Sequence, residues 1–583
     1  MRNLDAILSP MIHELQQAIQ EACNALFASE LTVDLTRPEE QFGDYATNIA
    51  LQLAKQLGKN PREIAETLAV KIRENLADTV REVAVAGPGF LNITLNDSAL
   101  LTSMSAKPNQ SLAGKTIVAE YSDPNPFKPL HAGHLYTTLM GDVIARMLET
   151  GGASVVRISY GGDVGLHVGK SMWAIVRNLG GENPDKLADI PAENRAAWLG
   201  ERYVEGNTAY EDDEASKQEI ITANKRVYQV HSENDHESPF ARIYWTCRDW
   251  SYEYFKTLYD QLAVHQFDRT IPESEIVPLG LKTVREQLQH GVYEESDGAI
   301  IFRGEEYGLH TRVFINSQGL PTYEAKDVGL LLTKWQDYHF DRSIVITANE
   351  QAEYMTVMLK SVEQFAPEPA TRSQHLTHGM VKLKGGVKMS SRKGNTVGAI
   401  DIIDAATLAN RTATGGDNPD TVLGAIKYAF LKNRIGGDII YIPEESVSLE
   451  GNSGPYLQYA HARACSILRK AGEATDQGDN ITLDLEAISR QARDDGGLGA
   501  GERSLVRKIS EYTEVVDKAV QELMPHYICT YLYELAQTFN RFYEHNRVIG
   551  DERQTLRLTL VKQYADTLKT GLGLLGIASP DKM

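Results

Sequence analysis

Residues 116–162 read TIVAEYSDPNPFKPLHAGHLYTTLMGDVIARMLETGGASVVRISYGG, and this stretch decides the fold. Its start predicts a strand, residues 136–152 show the helical period and stop at glycine, and residues 153–160 predict a second strand. This order is typical of a βαβ unit in a parallel sheet covered by helices. Ligands of such sheets bind beyond the carboxyl ends of the strands, where the loop with His131 and His134 falls.

The flanking sequence predicts three domains. We expect an α/β, Rossmann-type doubly wound parallel-sheet domain over residues 111–440, with a mostly helical insertion at about 180–275. Residues 1–110 mix helical periods with the two alternating segments of VREVAVAGPGFLNITL, which predicts an α+β add-on domain. Residues 441–583 show an almost continuous helical period and predict an all-α helical bundle.

Charge and composition exclude several classes of protein. The 583 residues carry a net charge of -20, which argues against a general coat for nucleic acid. However, residues 378–398 hold five basic side chains and no acid, which predicts a local phosphate site. No apolar run approaches the roughly 20 residues of a membrane span. The N-terminal residues predict an amphipathic helix that contains acids, and not a secretory signal. The four cysteines are far apart in sequence, which argues against zinc ribbons and a disulfide framework and fits a reducing cytosol.

The motif His131-Ala-Gly-His134 allows four interpretations. A metal site would need further ligands at recognisable spacing, and none stands nearby in sequence. Packing in a core and general acid–base catalysis both remain open. Phosphate binding is favoured because Lys128 and Gly133 lie beside the pair and the amides of a helix beginning near Leu135 suit an anion.

A second group of polar residues follows other predicted strands. Glu120, Asp123 and Asn125 stand at one strand end, Tyr323 and Asp327 lie four residues apart on one helix face, and Gln351 follows a later strand. Carboxylates, amides and a phenol suit a guanidinium, which offers five donors in a planar fork. The alternative is that these acids are surface charges or helix caps.

About 250 residues after the histidines comes Lys388-Met-Ser-Ser-Arg-Lys-Gly394, which alone could be a solvated basic loop. In this order the two motifs resemble the signature pair of class I aminoacyl-tRNA synthetases. The chain resembles the arginyl-tRNA synthetase family over nearly its whole length. This resemblance rests on residues 120–135 and on the segments GLPTYEAKDVGL, NSGPYLQYAHARACSIL and the final GLGLLGIASPDKM. Asp123, Tyr136 and Tyr354 depart from that family, in which serine, arginine and histidine are usual.

This resemblance implies site residues. L-arginine would be held by Glu120, Asn125, Tyr323, Asp327 and Gln351, with Asp123 as a further candidate. ATP would contact Lys128, His131, Gly133, His134, Met389, Ser390 and Ser391, and the catalytic residues would be His131, His134, Lys388 and Arg392. The tRNA would contact Tyr456, Tyr459, Arg463 and Met583, although the two tyrosines could equally be helical core.

The implied reaction is ATP-dependent ligation of L-arginine to tRNA-Arg through an arginyl-adenylate. ATP is a substrate, Mg²⁺ accompanies it, and no metal site made of protein ligands is expected. We expect a cytoplasmic monomer with no membrane partner. The alternatives are a class I synthetase for another amino acid such as lysine, a smaller nucleotidyltransferase, and a non-catalytic tRNA-binding paralogue.

Overall fold

The computed structural model describes residues 10–384, 397–475, 492 and 496–583. The chain divides into two compact units. One unit joins Met1–Ser111 to Leu449–Met583, and the other is the continuous segment Leu112–Ser448. The N-terminal and C-terminal regions, expected as separate domains, therefore belong to one unit.

The N-terminal segment is a small α+β assembly. Its elements are α1 (Pro10–Phe27), β1 (Tyr45–Thr47), α2 (Ile49–Leu57), α3 (Pro61–Asn75), β2 (Val80–Ala86), β3 (Phe90–Leu95) and α4 (Asp97–Ser103). The strands form an antiparallel sheet in the order β1-β3-β2, which confirms the two strands predicted from alternation. Between α2 and α3, Gly58 adopts a left-handed φ of 64° and Asn60 caps the next helix, so the chain turns sharply there.

The larger unit contains a parallel sheet and the helices around it. Its first half consists of β4 (Thr116–Glu120), α5 (Ala132–Thr150), β5 (Ser154–Gly161), α6 (Leu166–Asn178), α7 (Arg195–Asp212), α8 (Glu214–Ser232), α9 (Pro239–Gln261), β6 (Arg269–Pro272) and α10 (Glu273–Gln289). Its second half consists of β7 (Glu294–Ser296), β8 (Ala299–Phe302), β9 (Arg312–Ile315), α11 (Tyr323–Tyr338), β10 (Arg342–Ala348), α12 (Ala352–Glu363), α13 (Pro367–Thr371), β11 (Ser373–His378), β12 (Val381–Leu383), α14 (Ala399–Thr414), α15 (Pro419–Leu431), β13 (Ile439–Tyr441) and α16 (Pro443–Ser446).

The five parallel strands follow the order β11-β10-β4-β5-β6. The chain moves outward from β4 to β5 and β6, and then restarts on the other side of β4 with β10 and β11. This reversal creates a switch point between β4 and β10, where the strand ends leave a crevice for a ligand. The predicted α/β fold is confirmed, and Glu120 lies at the end of the strand beside the crevice.

Two parts of this unit differ from the sequence prediction. The predicted insertion takes in α7, α8 and α9, but its last residues form β6, the edge strand paired with β5. With four residues and one fully buried position, β6 has too little alternation to be recognised. The small antiparallel sheet β7-β8-β9 was also missed, because its strands contain only three or four residues each.

The C-terminal segment is helical, as predicted. It contains α17 (Gly454–Thr475), α18 (Ala500–Ser510), α19 (Tyr512–Glu522), α20 (His526–His545) and α21 (Gln554–Leu574). Within its unit it is tied to the N-terminal segment by ion pairs between Arg37 and Glu514 at 2.6 Å and between Arg503 and Asp97 at 2.5 Å. In the described parts of the chain, we find no helix with the length and apolar character needed to cross a bilayer.

Candidate active site

The loop between β4 and α5 is held in an unusual conformation by the end of β5. The backbones of Asp123 and Phe127 have positive φ angles of 48° and 68°, a region that non-glycine residues seldom occupy. Oδ1 of Asp123 accepts a hydrogen bond from the amide of Tyr160 at 2.8 Å, and Oδ1 of Asn125 accepts one from the amide of Gly162 at 2.9 Å. These two predicted arginine-binding residues thus each use one oxygen to fix the loop.

The two histidines form a stacked pair at the start of α5. Their ring centroids are 3.8 Å apart with an interplanar angle of 26°. Nδ1 of His131 accepts hydrogen bonds from the amides of Gly133 at 3.1 Å and His134 at 3.4 Å, and Nδ1 of His134 accepts one from the amide of His131 at 3.4 Å. Because both Nδ1 atoms accept, a neutral ring carries its proton on Nε2 in each case.

The surroundings keep both rings neutral. Burial, then the nearby Lys128, lowers the pKa of His131 to about 4. Burial and the neighbouring His131 hold the pKa of His134 well below its ordinary value. A neutral imidazole with a fixed Nε2–H is a hydrogen-bond donor and not a proton carrier, so the pair suits an anionic oxygen better than acid–base catalysis.

The backbone amides of this helix start are already bonded, and this part of the sequence prediction is wrong. His131 caps the helix, which therefore begins at Ala132 and not near Leu135. The amides of Gly133 and His134 donate to the His131 ring, and the amide of Ala132 donates to the carbonyl of Val397 at 2.8 Å. Phosphate binding by this motif would therefore depend on side chains.

Gly133 is required by the stacked arrangement. A Cβ atom at this position would lie 2.9 Å from ring atoms of His131, closer than such atoms normally approach. Any other residue here would displace the capping ring. The small residue between the histidines thus keeps the two Nε2 donors in place.

The residues that follow the basic segment lie against the histidine motif. The carbonyl of Leu130 accepts the amide of Ala399 at 2.9 Å, and His131 and Gly398 form an antiparallel bridge. The predicted residues of the segment itself lie outside the described residues: Lys388, Met389, Ser390, Ser391 and Arg392. The described flank, residues 397–399, lies beside His131.

The predicted acidic residues share a buried region, with one unexpected partner. Oε2 of Glu120 lies 2.5 Å from Nζ of Lys334, and both side chains are buried. Oδ2 of Asp327 accepts a hydrogen bond from the Tyr354 hydroxyl at 2.7 Å. Sequence reasoning missed Lys334, although it stands seven residues after Asp327 and therefore on the same face of α11.

Crowded carboxyl groups make this region deficient in positive charge. Burial raises the pKa of Asp327 to about 7, and Glu120 adds to the effect although the Tyr354 hydrogen bond opposes it. Burial and Glu120 likewise raise the pKa of Asp123 well above its ordinary value. Lys334 lowers both values, but its single charge faces three carboxyl groups. A bound cation would stabilise the ionised carboxylates.

Tyr323 and Gln351 occupy the rim of the same edge. Tyr323 is the first residue of α11 and is 61% exposed. Gln351 is partly buried and ends the single helical turn that follows β10. Tyr323 is therefore open to solvent and Gln351 only partly so.

Tyr160 is a candidate that sequence reasoning missed. Its hydroxyl is buried and has no hydrogen-bond partner among the described residues. Burial, then Glu273, Asp327 and Glu120, raises the pKa of Tyr160 well above its ordinary value, which locates the hydroxyl among these carboxyl groups. The sequence feature that could have identified Tyr160 is its position near the end of β5, the strand that pairs with β4.

The predicted tRNA-binding residues lie on and near α17. Tyr459 is 46% exposed and Met583 is 48% exposed. Tyr456 is partly buried and its hydroxyl accepts a hydrogen bond from Asn540 at 2.9 Å, while the Arg463 guanidinium lies 4.9 Å from the ring centre of Tyr543. Tyr459 and Met583 thus present open surfaces, whereas Tyr456 and Arg463 also pack on α20.

Comparisons with known families cover most of the chain. Residues 97–445 match the model described as tRNA synthetases class I (R), catalytic domain. Residues 457–583 match the DALR anticodon binding domain, and residues 12–95 match the arginyl tRNA synthetase N terminal domain.

Individual relatives agree with these matches. An arginine–tRNA ligase of Synechococcus sp. is 31% identical, over 98% of this chain and 99% of that protein. One from Haemophilus influenzae is 30% identical over the full length of both chains. The solved arginyl-tRNA synthetase of Thermus thermophilus has a TM-score of 0.77 and 25% identity, over 98% of this chain and 99% of that one.

Proposed function

Since this chain belongs to the arginyl-tRNA synthetase family and is an arginine–tRNA ligase, we propose that its two substrates react at the switch point between β4 and β10. The observation that carries this proposal is the juxtaposition of neutral imidazole donors with a buried, acid-rich region. One loop, residues 121–131, links the two groups, because it carries Asp123 of the acid-rich region and ends at His131. The first suits a phosphate, and the second suits a cationic side chain.

L-Arginine binds with its guanidinium toward the acidic region. Asp327 provides the main charge partner, because its other hydrogen-bonding neighbour is the neutral Tyr354. Glu120 contributes through the carboxylate oxygen that does not face Lys334. Asp123 contributes its second carboxylate oxygen and Asn125 its side-chain amide, since Oδ1 of each residue anchors the loop. Tyr323 and Gln351 close the rim around the amino acid.

ATP binds with its α-phosphate at the histidine pair. The Nε2–H groups of His131 and His134 donate to oxygens whose charge grows in the transition state, and Lys128 adds a positive charge beside them. Lys388 and Arg392 contact the leaving pyrophosphate, and Met389, Ser390 and Ser391 line the same phosphates. Mg²⁺ is bound mainly by the phosphate oxygens of ATP, as this cation usually is.

The reaction proceeds in two transfers. A carboxylate oxygen of arginine attacks the α-phosphorus, the bond to the β-phosphate bridging oxygen breaks, and pyrophosphate leaves with that electron pair. The terminal ribose hydroxyl of the tRNA then attacks the arginyl carbonyl, the bond from that carbonyl to the phosphate oxygen breaks, and AMP leaves with its phosphate taking the hydroxyl proton. Because the histidines stay neutral, they orient and stabilise phosphate oxygens without transferring a proton.

The tRNA is recognised by the other compact unit. Tyr459 and Met583 offer exposed surfaces to the anticodon loop, with Tyr456 and Arg463 beside them, because unstacked bases bind aromatic and guanidinium planes. Residues 1–110 contact the corner of the tRNA. We expect the enzyme to act as a monomer in the cytoplasm, where dispersed cysteines remain reduced.

The substrate test is aminoacylation of tRNA-Arg with ATP and arginine, lysine, ornithine or citrulline. Charging with arginine alone is expected, since citrulline lacks the charge and lysine lacks the fork. Preferential charging with lysine would overturn the guanidinium assignment, and absence of any charging would favour a non-catalytic tRNA-binding paralogue.

The site test compares two aspartates on α11. Asp327→Asn should reduce kcat/KM for arginine by about a thousandfold, because it removes a buried charge partner worth 2–5 kcal/mol. Asp337→Asn is the matched control, since Asp337 lies near the other end of the helix, where it pairs with Arg269. Equal activity in the two variants would remove Asp327 from the site.

A further inference from the structure

A second cluster of chemically reactive side chains lies on α17, outside the site described above. His461 and Cys465 are four residues apart and so project from the same face of the helix. Asp581 approaches them from the segment that follows α21. Cys465 Sγ lies 3.7 Å from Nε2 and 3.8 Å from Nδ1 of His461, and 3.6 Å from Oδ1 of Asp581. One ligand atom from each residue lies within 4.8 Å of the others.

These separations are close to those of a tetrahedral metal site. With zinc–sulfur bonds of about 2.3 Å and zinc–nitrogen or zinc–oxygen bonds of about 2.0 Å, sulfur lies roughly 3.5 Å from each neighbouring ligand. The observed sulfur–nitrogen and sulfur–oxygen distances exceed this value by only a small amount. Because Sγ is almost equidistant from the two ring nitrogens of His461, a rotation of the Cys465 side chain toward the Nε2 side would bring the three atoms onto one ion.

The tautomer of His461 is already fixed in the way that a metal-binding histidine requires. Its Nδ1 lies 3.0 Å from the carbonyl of Pro580 and donates to it, so the lone pair of the neutral ring is on Nε2. The ring is almost fully buried, at 1% exposure. Nearby, Gln458 donates to the carbonyl of Ala578 at 2.9 Å, which holds the same segment against the helix.

We propose that His461, Cys465 and Asp581 bind one Zn²⁺ ion, with water in the fourth position. The nitrogen, sulfur and oxygen ligands exclude Mg²⁺ and Ca²⁺, which prefer oxygen alone. The partly exposed Cys465 and the exposed Asp581 leave a path by which the ion enters. None of these contacts depends on the reaction assigned to the other unit.

Metal binding would join the segment after α21 to the helix that carries the predicted anticodon contacts. Tyr456 and Tyr459 precede His461 on α17, and Met583 follows Asp581 by two residues. An ion at this point would order both sides of that surface.

The test uses the full-length protein without a histidine tag, stripped with a chelator and titrated with Co²⁺. We expect one equivalent to give an intense near-ultraviolet band from thiolate-to-cobalt charge transfer, which Zn²⁺ then displaces. Cys465→Ser should abolish the band, and Asp581→Asn should weaken binding about tenfold or more. Cys23→Ser and Asp551→Asn are the matched controls and should bind as the parent does.

Two results would overturn the proposal. One is the absence of a thiolate band in the parent protein, which would leave a hydrogen-bonded cluster without an ion. The other is a band that survives in Cys465→Ser, which would assign the metal to another cysteine. Because Asp581 is exposed, loss of binding in Asp581→Asn cannot be attributed to a failure to fold.

Discussion

His131 and His134 are held by backbone amides, whereas Glu120 and Asp327 are held by other side chains. The histidines are partly buried as neutral rings, and their Nδ1 atoms accept backbone amides within one turn of α5, which leaves the two Nε2–H groups for a ligand. The carboxyl groups are buried beside one another, with one lysine and one phenol as partners. The first region is uncharged and offers hydrogen-bond donors, while the second still lacks positive charge. The two regions should therefore respond differently to mutation and to pH.

The largest effect should come from the ion pair in the acidic region. Lys334→Met leaves Glu120 buried without a partner, which should lower the free energy of unfolding by about 3–5 kcal/mol in denaturant titrations. The double variant with Glu120→Gln should recover most of that loss, because neither charge remains.

An exposed pair provides the control for this prediction. Lys382→Met removes the partner of Asp438, a surface pair with a 2.7 Å separation, and should cost at most about 1 kcal/mol. If Lys334→Met costs no more than Lys382→Met, the acidic region does not depend on its lysine.

Removal of one imidazole tests the neutral region. His134→Ala should reduce the rate of arginine-dependent pyrophosphate exchange, measured with tRNA present, by about 10²–10³-fold, as loss of a transition-state donor does. The KM for arginine should change little, and His134→Gln should recover part of the rate because its amide nitrogen can replace Nε2. A rise in the arginine KM at constant kcat would instead place His134 in the arginine pocket. His290→Ala, an exposed histidine, is the control.

The pH dependence should separate the two regions. In the free enzyme Asp327 has a raised pKa of about 7, so its carboxyl is protonated below that value and arginine binding must displace a proton. Arginine affinity, measured by equilibrium dialysis, should therefore fall by up to about tenfold per pH unit from pH 7 to 5.5 and stay level above pH 8.

The raised pKa of Asp327 has the opposite effect on the stability of the unliganded enzyme: higher pH favours arginine binding but lowers the free energy of unfolding. Because the folded value exceeds the unfolded one, Asp327 contributes stability below about pH 4 that is lost as the pH rises through 7. The histidines should not titrate between pH 5.5 and 8, which NMR of the free enzyme can check. An arginine affinity that does not depend on pH contradicts the assignment of Asp327 to the arginine pocket. So does a pH dependence of arginine affinity that Asp327→Asn leaves unchanged.

The smallest effect is expected at Tyr160. Tyr160→Phe removes a buried hydroxyl that has no partner in the described structure, and the arginine KM should rise about fivefold, the worth of one hydrogen bond of about 1 kcal/mol. Tyr252→Phe removes a comparable hydroxyl on α9 and should leave the KM unchanged. If Tyr160→Phe leaves the arginine KM unchanged and raises the thermal stability, the hydroxyl is a buried group that does not contact arginine.

Helices and strands with strong periodicity could be predicted from the sequence. The pairing of side chains that are distant along the chain could not. The βαβ unit was recognised because α5 and β5 are long and end at or beside a glycine, whereas β6 was missed because it contains four residues. The partners Lys334 and Val397 lie far from Glu120 and Ala132 along the chain. Tertiary contacts of this kind leave no periodic signal.

The departures from the family pattern became interpretable only in three dimensions. Asp123 anchors the loop through the Tyr160 amide, and Tyr354 donates to Asp327. Tyr136 packs edge-on against His378, with ring centroids 4.6 Å apart. Each departure has a partner that is distant in sequence, which is why the single sequence could not assign its role.

The positive φ angles of the loop have a consequence for enzyme engineering. Ser122, Asp123 and Phe127 adopt a backbone conformation that costs roughly 1–2 kcal/mol per residue relative to glycine or an ordinary turn. Selection for heat resistance alone would therefore favour glycine at 122 or 123 and relieve that strain. The same change would remove Ser122 from its hydrogen bond with Tyr259, or Asp123 from the Tyr160 amide. Thermostable variants obtained in this way should hold their substrates less firmly, so a useful selection has to score tRNA charging together with survival on heating.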